Sequence, residues 1–270
     1  MATWNRSLRA PLDNPLWRKW SLRLASILFL GVVWEIMARS LHSLLFPAPT
    51  ATLFALTQLV VTPDFWSAMW TSNQSLILGF TIAAASGIAI GLVIGRWRTA
   101  EQVIDPYLSI LLATPMTALI PVIILVAGLG LFSRVFIVFL FSLVVIIVNT
   151  RTGLRTLDPS LIEMAHAFGA TEWQLWRTVL FPGALPGVIT GLRLGLGRAL
   201  TGMVAVELTL IAVGIGRLIL DYQATFEAPS VYATVLVVVI EAVLLLRLLR
   251  AFESRITPWV AHARYSYRTL

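Results

Sequence analysis

Residues 163–182 read EMAHAFGATEWQLWRTVLFP, a polar stretch between two long apolar segments. Just upstream, Asp158 and Pro159 are typical of a helix N-cap followed by proline at the first helical position, where a missing N–H costs nothing. Gly169 can adopt the left-handed conformation that ends a helix. The sequence therefore predicts a helix of about ten residues that stops at Gly169.

A second short helix is predicted directly after this stop. Thr171 and Gln174 have the spacing of a capping box, so a helix should begin at Thr171 and run until Pro182 stops it. Two short helices joined by a sharp turn form a compact unit, which can dock into a groove on a partner.

The composition around this stretch is that of a membrane protein. Hydrophobic residues make up 58% of the chain, charged residues 12%, and the mean hydropathy is +0.86. These values lie outside the range of soluble domains. Spans of about 20 residues leave room for roughly five to seven helices, and the alternation of a β-barrel is absent. We therefore predict one all-α membrane domain.

Several functional classes are disfavoured by the residues present. The net charge of +7 comes mostly from arginines beside apolar segments, which favours membrane topology over nucleic acid as its explanation. The chain has no cysteine, and His42, His166 and His262 lack the spacing of metal ligands, so no metal site is expected. The single lysine, Lys19, cannot complete a phosphate-binding loop. No catalytic motif is found, so any energy source should lie on another polypeptide.

The apolar segments predict a six-span topology. The predicted transmembrane helices are residues 22–41, 75–95, 105–127, 135–150, 185–211 and 231–246. The first apolar run should be retained as a span, because no cleavage site follows it. Basic residues at both ends of the chain predict cytoplasmic termini.

The chain divides accordingly into three parts. These are a cytoplasmic or interfacial segment (1–20), a six-helix transmembrane domain (21–250) that includes a cytoplasmic loop (151–184), and a cytoplasmic tail (251–270). Residues 47–74 should be an external interfacial segment, either a surface helix without a partner or a contact for an external binding protein. Residues 213–229 should form the last external loop. The fourth span is almost wholly aliphatic and aromatic, which predicts a broad lipid-facing surface.

Two strips of small residues predict close helix packing. Small residues recur at every fourth position in the second and fifth spans: Gly79, Ala83, Gly87, Gly91 and Gly95 in one, Gly187, Gly191, Gly195 and Ala199 in the other. Such strips let a neighbouring helix approach closely. Packing is the simplest interpretation, with a role in lining a pathway as the second.

Five residues are candidates for a translocation pathway: Pro115, Met116 and Pro121 in the third span, and Arg193 and Glu207 in the fifth. Prolines within a span are tolerated where protein or water faces the gap, so the third span is either a wall of the pathway or a packing kink. Arg193 and Glu207 lie within about 40° of one another around their helix. Either they face the pathway, or each is neutralised by a partner such as Glu35 or Glu241.

The polar stretch resembles a known motif. Glu163, Ala165, Gly169 and Pro182 match in identity and spacing the EAA loop of ABC importer permeases, with conservative departures at Met164, Val179 and Phe181. The flanking segments LDP (157–159), GALPGVITGLRLGLGRAL (183–200) and VAVEL (204–208) are similar to the nitrate, sulfonate and taurine permease group.

This resemblance implies a type I ABC importer permease fold in a bacterial inner membrane. It also implies that two cytoplasmic ATPase subunits, which carry ATP and Mg, contact the loop through Glu163, Ala165, His166, Phe168, Gly169 and Pro182. The other implied partners are a second permease copy, commonly identical, an external or periplasmic solute-binding protein, and membrane lipid.

The implied solute is a small anion such as a sulfonate or nitrate, and Arg193 is our candidate to assist it. A secondary transporter or channel is the alternative, although it would leave the two capped helices unexplained.

Overall fold

The computed structural model describes residues 15–41, 43–209 and 212–256, and these contain helices but no strand. The helices are α1 Pro15–Leu41, α2 Pro49–Leu59, α3 Pro63–Arg96, α4 Arg98–Ala113, α5 Met116–Ala127, α6 Leu131–Arg155, α7 Pro159–Ala167, α8 Glu172–Leu175, a π-helical segment Trp176–Leu180, α9 Phe181–Thr209, α10 Gly214–Ala224 and α11 Ala228–Ile256.

The number of membrane-crossing elements agrees with the sequence-based prediction. Within the described residues, five helical stretches are long and apolar enough to span a membrane. A sixth span results if α4 and α5, which are bent by 100° across a short break, count together. The predicted all-α, six-span fold class is therefore confirmed.

Helix α6 lies at the centre of the bundle, between α3 and α9. Of the most apolar 18-residue stretch of α6, 56% is buried inside the bundle. The predicted broad lipid-facing surface is therefore wrong for this span. An all-round apolar helix is equally suited to burial among other helices, and α6 takes that place.

Both small-residue strips pack against α6, which confirms the packing interpretation. On the α3 side, a Cβ added at Gly91 would lie 2.6 Å from the Cβ of Thr150, and one at Gly87 would lie 2.9 Å from Ile146. On the α9 side, a Cβ added at Gly195 would lie 2.6 Å from Ile146. The strips therefore let α3 and α9 approach α6 closely, on adjoining faces that meet at Ile146.

The closest approach of α6 and α9 is between Gly153 and Gly187. Replacing Gly153 with alanine would place its Cβ 2.6 Å from the Cα of Gly187 and 2.9 Å from the carbonyl oxygen of Ala184. Backbone atoms cannot rotate away as a side chain can. We expect Gly153→Ala to lower the free energy of unfolding by about 1–3 kcal/mol, measured as a lower thermal midpoint of the solubilised protein. Gly197→Ala is the matched control, since nothing lies within 4 Å of a Cβ there. Equal midpoints would contradict this packing.

The third span is broken rather than kinked. Proline restricts the residue before it to extended conformations, and Thr114 has ψ 127°. The chain turns through Pro115, the N-cap of α5, while Pro121 is accommodated inside α5. The prediction of one continuous helix over 105–127 is therefore wrong, because Pro115 ends it.

Several predicted boundaries also differ. The second span begins at Pro63 rather than at residue 75, because Thr62 caps it by accepting a hydrogen bond from the amide of Phe65 at 3.4 Å. Residues 47–74 therefore contain α2 and the first turns of α3. The predicted loop 213–229 contains α10, and α11 continues to Ile256, six residues into the predicted tail. Residues 1–14 of the predicted N-terminal segment 1–20 and residues 257–270 of the predicted tail 251–270 lie outside the described residues.

Candidate functional site

The first helix of the polar stretch, α7, forms as its local sequence predicts. Pro159 is its first residue, and the carboxylate of Asp158 accepts a hydrogen bond from the amide of Ser160 at 2.9 Å. This bond holds the pKa of Asp158 below its ordinary value, because it stabilises the charged form. The N-cap of α7 is therefore a charged, well-oriented acceptor.

The turn after α7 requires glycine. Gly169 has φ +73°, its amide donates to the carbonyl of His166 at 2.9 Å, and the amide of Ala170 donates to Ala165 at 3.0 Å. This pair of bonds is the Schellman arrangement, which satisfies the last carbonyl groups of a helix. The predicted stop at Gly169 is confirmed.

The second helix begins as predicted but does not end as predicted. In the capping box, Thr171 donates its amide to Gln174 at 2.8 Å and accepts from the amide of Gln174 at 3.4 Å. Helix α8 then continues through the π-helical segment into α9, so the prediction that Pro182 stops it is wrong. The wider π turn already interrupts the regular ladder, and the amide of Phe181 bonds to Trp176 five residues back. Pro182 can follow there without breaking the helix.

The outer face of this two-helix segment (residues 158–182) is apolar and exposed. Phe168 is 85% exposed and Trp173 74%, and Leu161 and Met164 are also exposed. A groove of about 400 Å³ runs between the two helices and is lined in part by Ala165, Phe168 and Pro182. Leu161 and Met164 line this groove together with Phe168, and exposed apolar side chains grouped in this way are typical of a protein or membrane contact.

The inner face of the two-helix segment is fixed to the bundle. Leu175 and Leu180 are buried beneath it, in one cluster with Leu154 of α6. Arg96 pairs with Glu172 at 3.4 Å. The rings of Trp97 and Trp176 lie 6.0 Å apart, which adds a second link to the end of α3.

The segment brings the predicted loop residues together on one small unit. Glu163, His166 and Phe168 are exposed, whereas Ala165 and Pro182 are partly covered beside the groove. Trp173 is not among the residues that the sequence predicted for this site. Of the four exposed apolar side chains on the outer face, however, only Phe168 is more exposed. The position of Trp173 in the first turn after a capping box is the signal that could have found it.

A second candidate site is a half-open cavity of about 300 Å³ at the surface of the bundle, where α4 and α5 meet. Pro115 and Met116 line this cavity, as do Arg198 and Thr201 of α9. Pro121, Arg193 and Glu207 are not among its lining residues. The five predicted pathway residues therefore do not form one site.

Arg193 and Glu207 each have a partner on another helix. Arg193 forms an ion pair with Glu253 of α11, and Glu207 is fully buried among α3, α6 and α10. The suggested partners Glu35 and Glu241 were wrong: Glu35 pairs with Arg39 at 2.6 Å instead. Partners so distant in sequence leave no local signal.

Glu207 joins three helices through its carboxylate. It accepts hydrogen bonds from the hydroxyl of Ser72 at 2.8 Å and from the amide of Gly216, in the first turn of α10, at 3.1 Å. The hydroxyl of Ser72 accepts from the amide of Ile215 at 2.9 Å. Arg134 lies 4.0 Å from the other carboxylate oxygen. Glu207 and Ser72 thus satisfy the N-terminus of α10, which has no cap from its own sequence.

Comparison with known proteins identifies the family of this chain. Residues 87–258 match the family described as binding-protein-dependent transport system inner membrane component. The chain belongs to this family of ABC importer permeases, and it is a multi-pass inner-membrane protein.

Individual relatives align over most of the chain. The taurine transport system permease protein of Escherichia coli is 28% identical over 252 residues, covering 91% of this chain and 92% of that protein. The riboflavin transport system permease protein of Chloroflexus aurantiacus is 30% identical, covering 87% and 89%. The nitrate import permease protein of a Synechocystis strain is 28% identical, covering 86% and 88%. These relatives are transport permeases, which agrees with the lack of catalytic motifs in the sequence.

Among solved structures, an inward-facing MetNI methionine ABC transporter has a similar fold. The TM-score is 0.53 at 22% identity, and the match covers 75% of this chain and 96% of that one. Within the described residues, no group of three or more His, Asp or Glu side chains could hold a metal ion.

Proposed function

We propose that this chain is the permease subunit of an ATP-driven importer for small anions, and that the two-helix segment is the surface held by a separate cytoplasmic ATPase. The observation that carries this proposal is the exposed apolar face of the segment, with Phe168 85% exposed at its tip. A surface so apolar on a capped, well-ordered unit is suited to burial in a partner's groove.

The charges near the segment support a cytoplasmic location. Arg96 bonds to Glu172 within the segment, while Arg151 and Arg155, at the end of α6, pair with Asp105 and Glu101 of α4. Arginines gathered at one end of a bundle are typical of its cytoplasmic side. Both chain termini would then also be cytoplasmic.

The helix path suggests how motion of the ATPase would reach the membrane. Helix α8, the π-helical segment and α9 form one uninterrupted helical stretch, Glu172–Thr209. Helix α9 packs along α6 through its glycine strip. Displacement of α8 would therefore move α9 against α6 directly. ATP binding would shift the balance of inward and outward states if the ATPase contacts differ between them.

The complete transporter would contain two copies of this chain, two ATPase subunits that hold ATP and Mg, and an external solute-binding protein. The taurine and nitrate relatives are named for solutes that carry an anionic oxygen group. A sulfonate, nitrate or similar anion is therefore the proposed class of solute.

Removing the Phe168 ring should weaken ATPase binding. Because aromatic side chains at interface centres commonly contribute more than about 1 kcal/mol, we expect Phe168→Ala to lower the affinity for the ATPase by about five- to tenfold. The measurement is titration of the purified partner ATPase subunit against the permease in nanodiscs.

Leu44→Ala is the matched control, because Leu44 is also 85% exposed but lies in the connection between α1 and α2. It should leave ATPase affinity unchanged. Equal affinities for the Phe168 variant and the unaltered chain would contradict the proposed contact. Failure of the unaltered chain to bind any ATPase would favour a secondary transporter or channel.

A further inference from the structure

The second arginine of α9, Arg198, lies in an unusual position. It is exposed and near the middle of the helix Phe181–Thr209. At 1.5 Å per residue, it is about 16 Å from the nearer helix end, too far for its side chain to snorkel to the membrane surface. It forms no hydrogen bond or ion pair with any residue the structure describes. A charged side chain is costly in lipid, so Arg198 should face water or another protein surface.

The cavity beside Arg198 has a positive lining. Among the described residues, Arg198 is the only charged one that lines it, and Thr114, Thr117 and Thr201 supply hydroxyl groups. The hydroxyls of Thr114 and Thr201 donate to backbone carbonyls of their own helices, at 2.7 and 3.0 Å. The guanidinium therefore supplies most of the hydrogen-bond donors left for a molecule in the cavity. No acidic side chain in the lining compensates its charge.

A second observation indicates that the cavity is wet. The break between α4 and α5, where the chain turns by 100°, contributes Thr114 and Pro115 to the lining. Non-helical backbone at membrane depth is tolerated only where it is buried in protein or lines a water-filled space. Thr114 and Pro115 are only partly buried or exposed, which favours the water-filled space.

We propose that Arg198 is the residue that binds the anionic oxygen group of the solute midway along the translocation pathway. This inference rests on the proposed function and assigns its anion contact to Arg198 rather than Arg193, whose charge Glu253 compensates. A planar guanidinium fits sulfonate, nitrate and carboxylate oxygens through paired N–H donors. One such group attracts an anion yet leaves it free to move on, as conduction requires.

The test uses the absence of cysteine from the chain, which makes an introduced thiol unique. Thr201→Cys is placed in the cavity lining, and the full-length chain in native membranes is labelled with two methanethiosulfonates. One carries a sulfonate and the other a trimethylammonium group. The measured quantity is the ratio of their labelling rates, with Arg198 present and after Arg198→Gln or Arg198→Lys.

We expect Arg198→Gln to lower the anion-to-cation rate ratio at Thr201→Cys on the order of tenfold, because one reagent loses attraction and the other loses repulsion. Arg198→Lys should keep the ratio within about twofold, because it keeps the charge. High salt should reduce the difference. At Gln223→Cys, an exposed position on α10, Arg198→Gln should leave the ratio unchanged, which shows that the effect is confined to the cavity.

Two results would overturn the proposal. One is an equal ratio at Thr201→Cys with and without Arg198. The other is labelling by neutral methyl methanethiosulfonate but by neither charged reagent, which would mean that lipid or a second copy covers the cavity. Neither result depends on an ATPase, so a failure here is distinguishable from failure of the ATPase-binding experiment.

Discussion

Replacing Gly169 with valine is expected to abolish most ATP-driven uptake while leaving the membrane bundle folded. Gly169 has φ +73°, and the Cβ of a substituted residue would meet nothing within 4 Å. The cost is therefore purely one of backbone conformation, of order 1–3 kcal/mol for a residue that disfavours this region. If this strain shifts α8 out of its proposed contact with the ATPase, uptake should fall by up to about a hundredfold, since 1.4 kcal/mol corresponds to tenfold.

Gly169→Asn is the matched variant, because asparagine enters the left-handed region more readily than any β-branched residue. It should retain most of the uptake. The measurement compares uptake with ATP hydrolysis in proteoliposomes containing the permease, the ATPase and the binding protein. Uptake by the valine variant equal to that of the asparagine variant would contradict a requirement for the left-handed turn.

The parts of the two-helix segment that the sequence predicted are those set by local chemistry. The cap at Asp158, the stop at Gly169 and the capping box at Thr171 each depend on residues within a few positions of one another. Such bonds form in the same way whatever the rest of the chain does. The packing of the two small-residue strips could also be predicted, because a small residue at every fourth position leaves few alternatives to close helix packing.

The features that the sequence could not predict depend on distant partners or on competition between similar signals. Pro115 breaks the third span and Pro121 does not, although both stand within an apolar run. The apolar surface of α6 could have faced lipid as easily as protein, and only the strips on α3 and α9 decide that it faces protein. The sequence predicts that Pro182 stops the helix, because no local sequence signal indicates the π turn before it.

The candidate pathway shows the same limit. Sequence spacing placed Arg193 and Glu207 on one face of a helix, but it could not show that Glu253 and Ser72 engage them. Arg198, which the sequence assigned to another face, is the arginine that lines the cavity. An uncompensated charge can be recognised only after every neighbouring helix is in place.

Removing the carboxylate of Glu207 is expected to destabilise the protein more than any other change considered for a single side chain. Glu207 is fully buried, accepts two hydrogen bonds and lies 4.0 Å from the buried guanidinium of Arg134. Glu207→Ala would leave Arg134 without its counter-charge and the amide of Gly216 without its acceptor. Breaking a buried pair in this way commonly costs about 3–5 kcal/mol.

The loss should be concentrated at the N-terminus of α10. Amide hydrogen exchange should accelerate at Ile215 and Gly216, while exchange in α7, which packs in a separate cluster, stays unchanged. The thermal midpoint of the solubilised protein should also fall. Glu207→Gln keeps an oxygen acceptor for Ser72 and Gly216 but removes the charge, so its cost should be smaller, about 1–3 kcal/mol. If the alanine variant unfolds within about 0.5 kcal/mol of the unaltered chain, as neutral surface substitutions do, then Glu207 does not fix α10. A glutamine variant as unstable as the alanine variant would instead assign the effect to charge, and so to Arg134 rather than to the capping of α10.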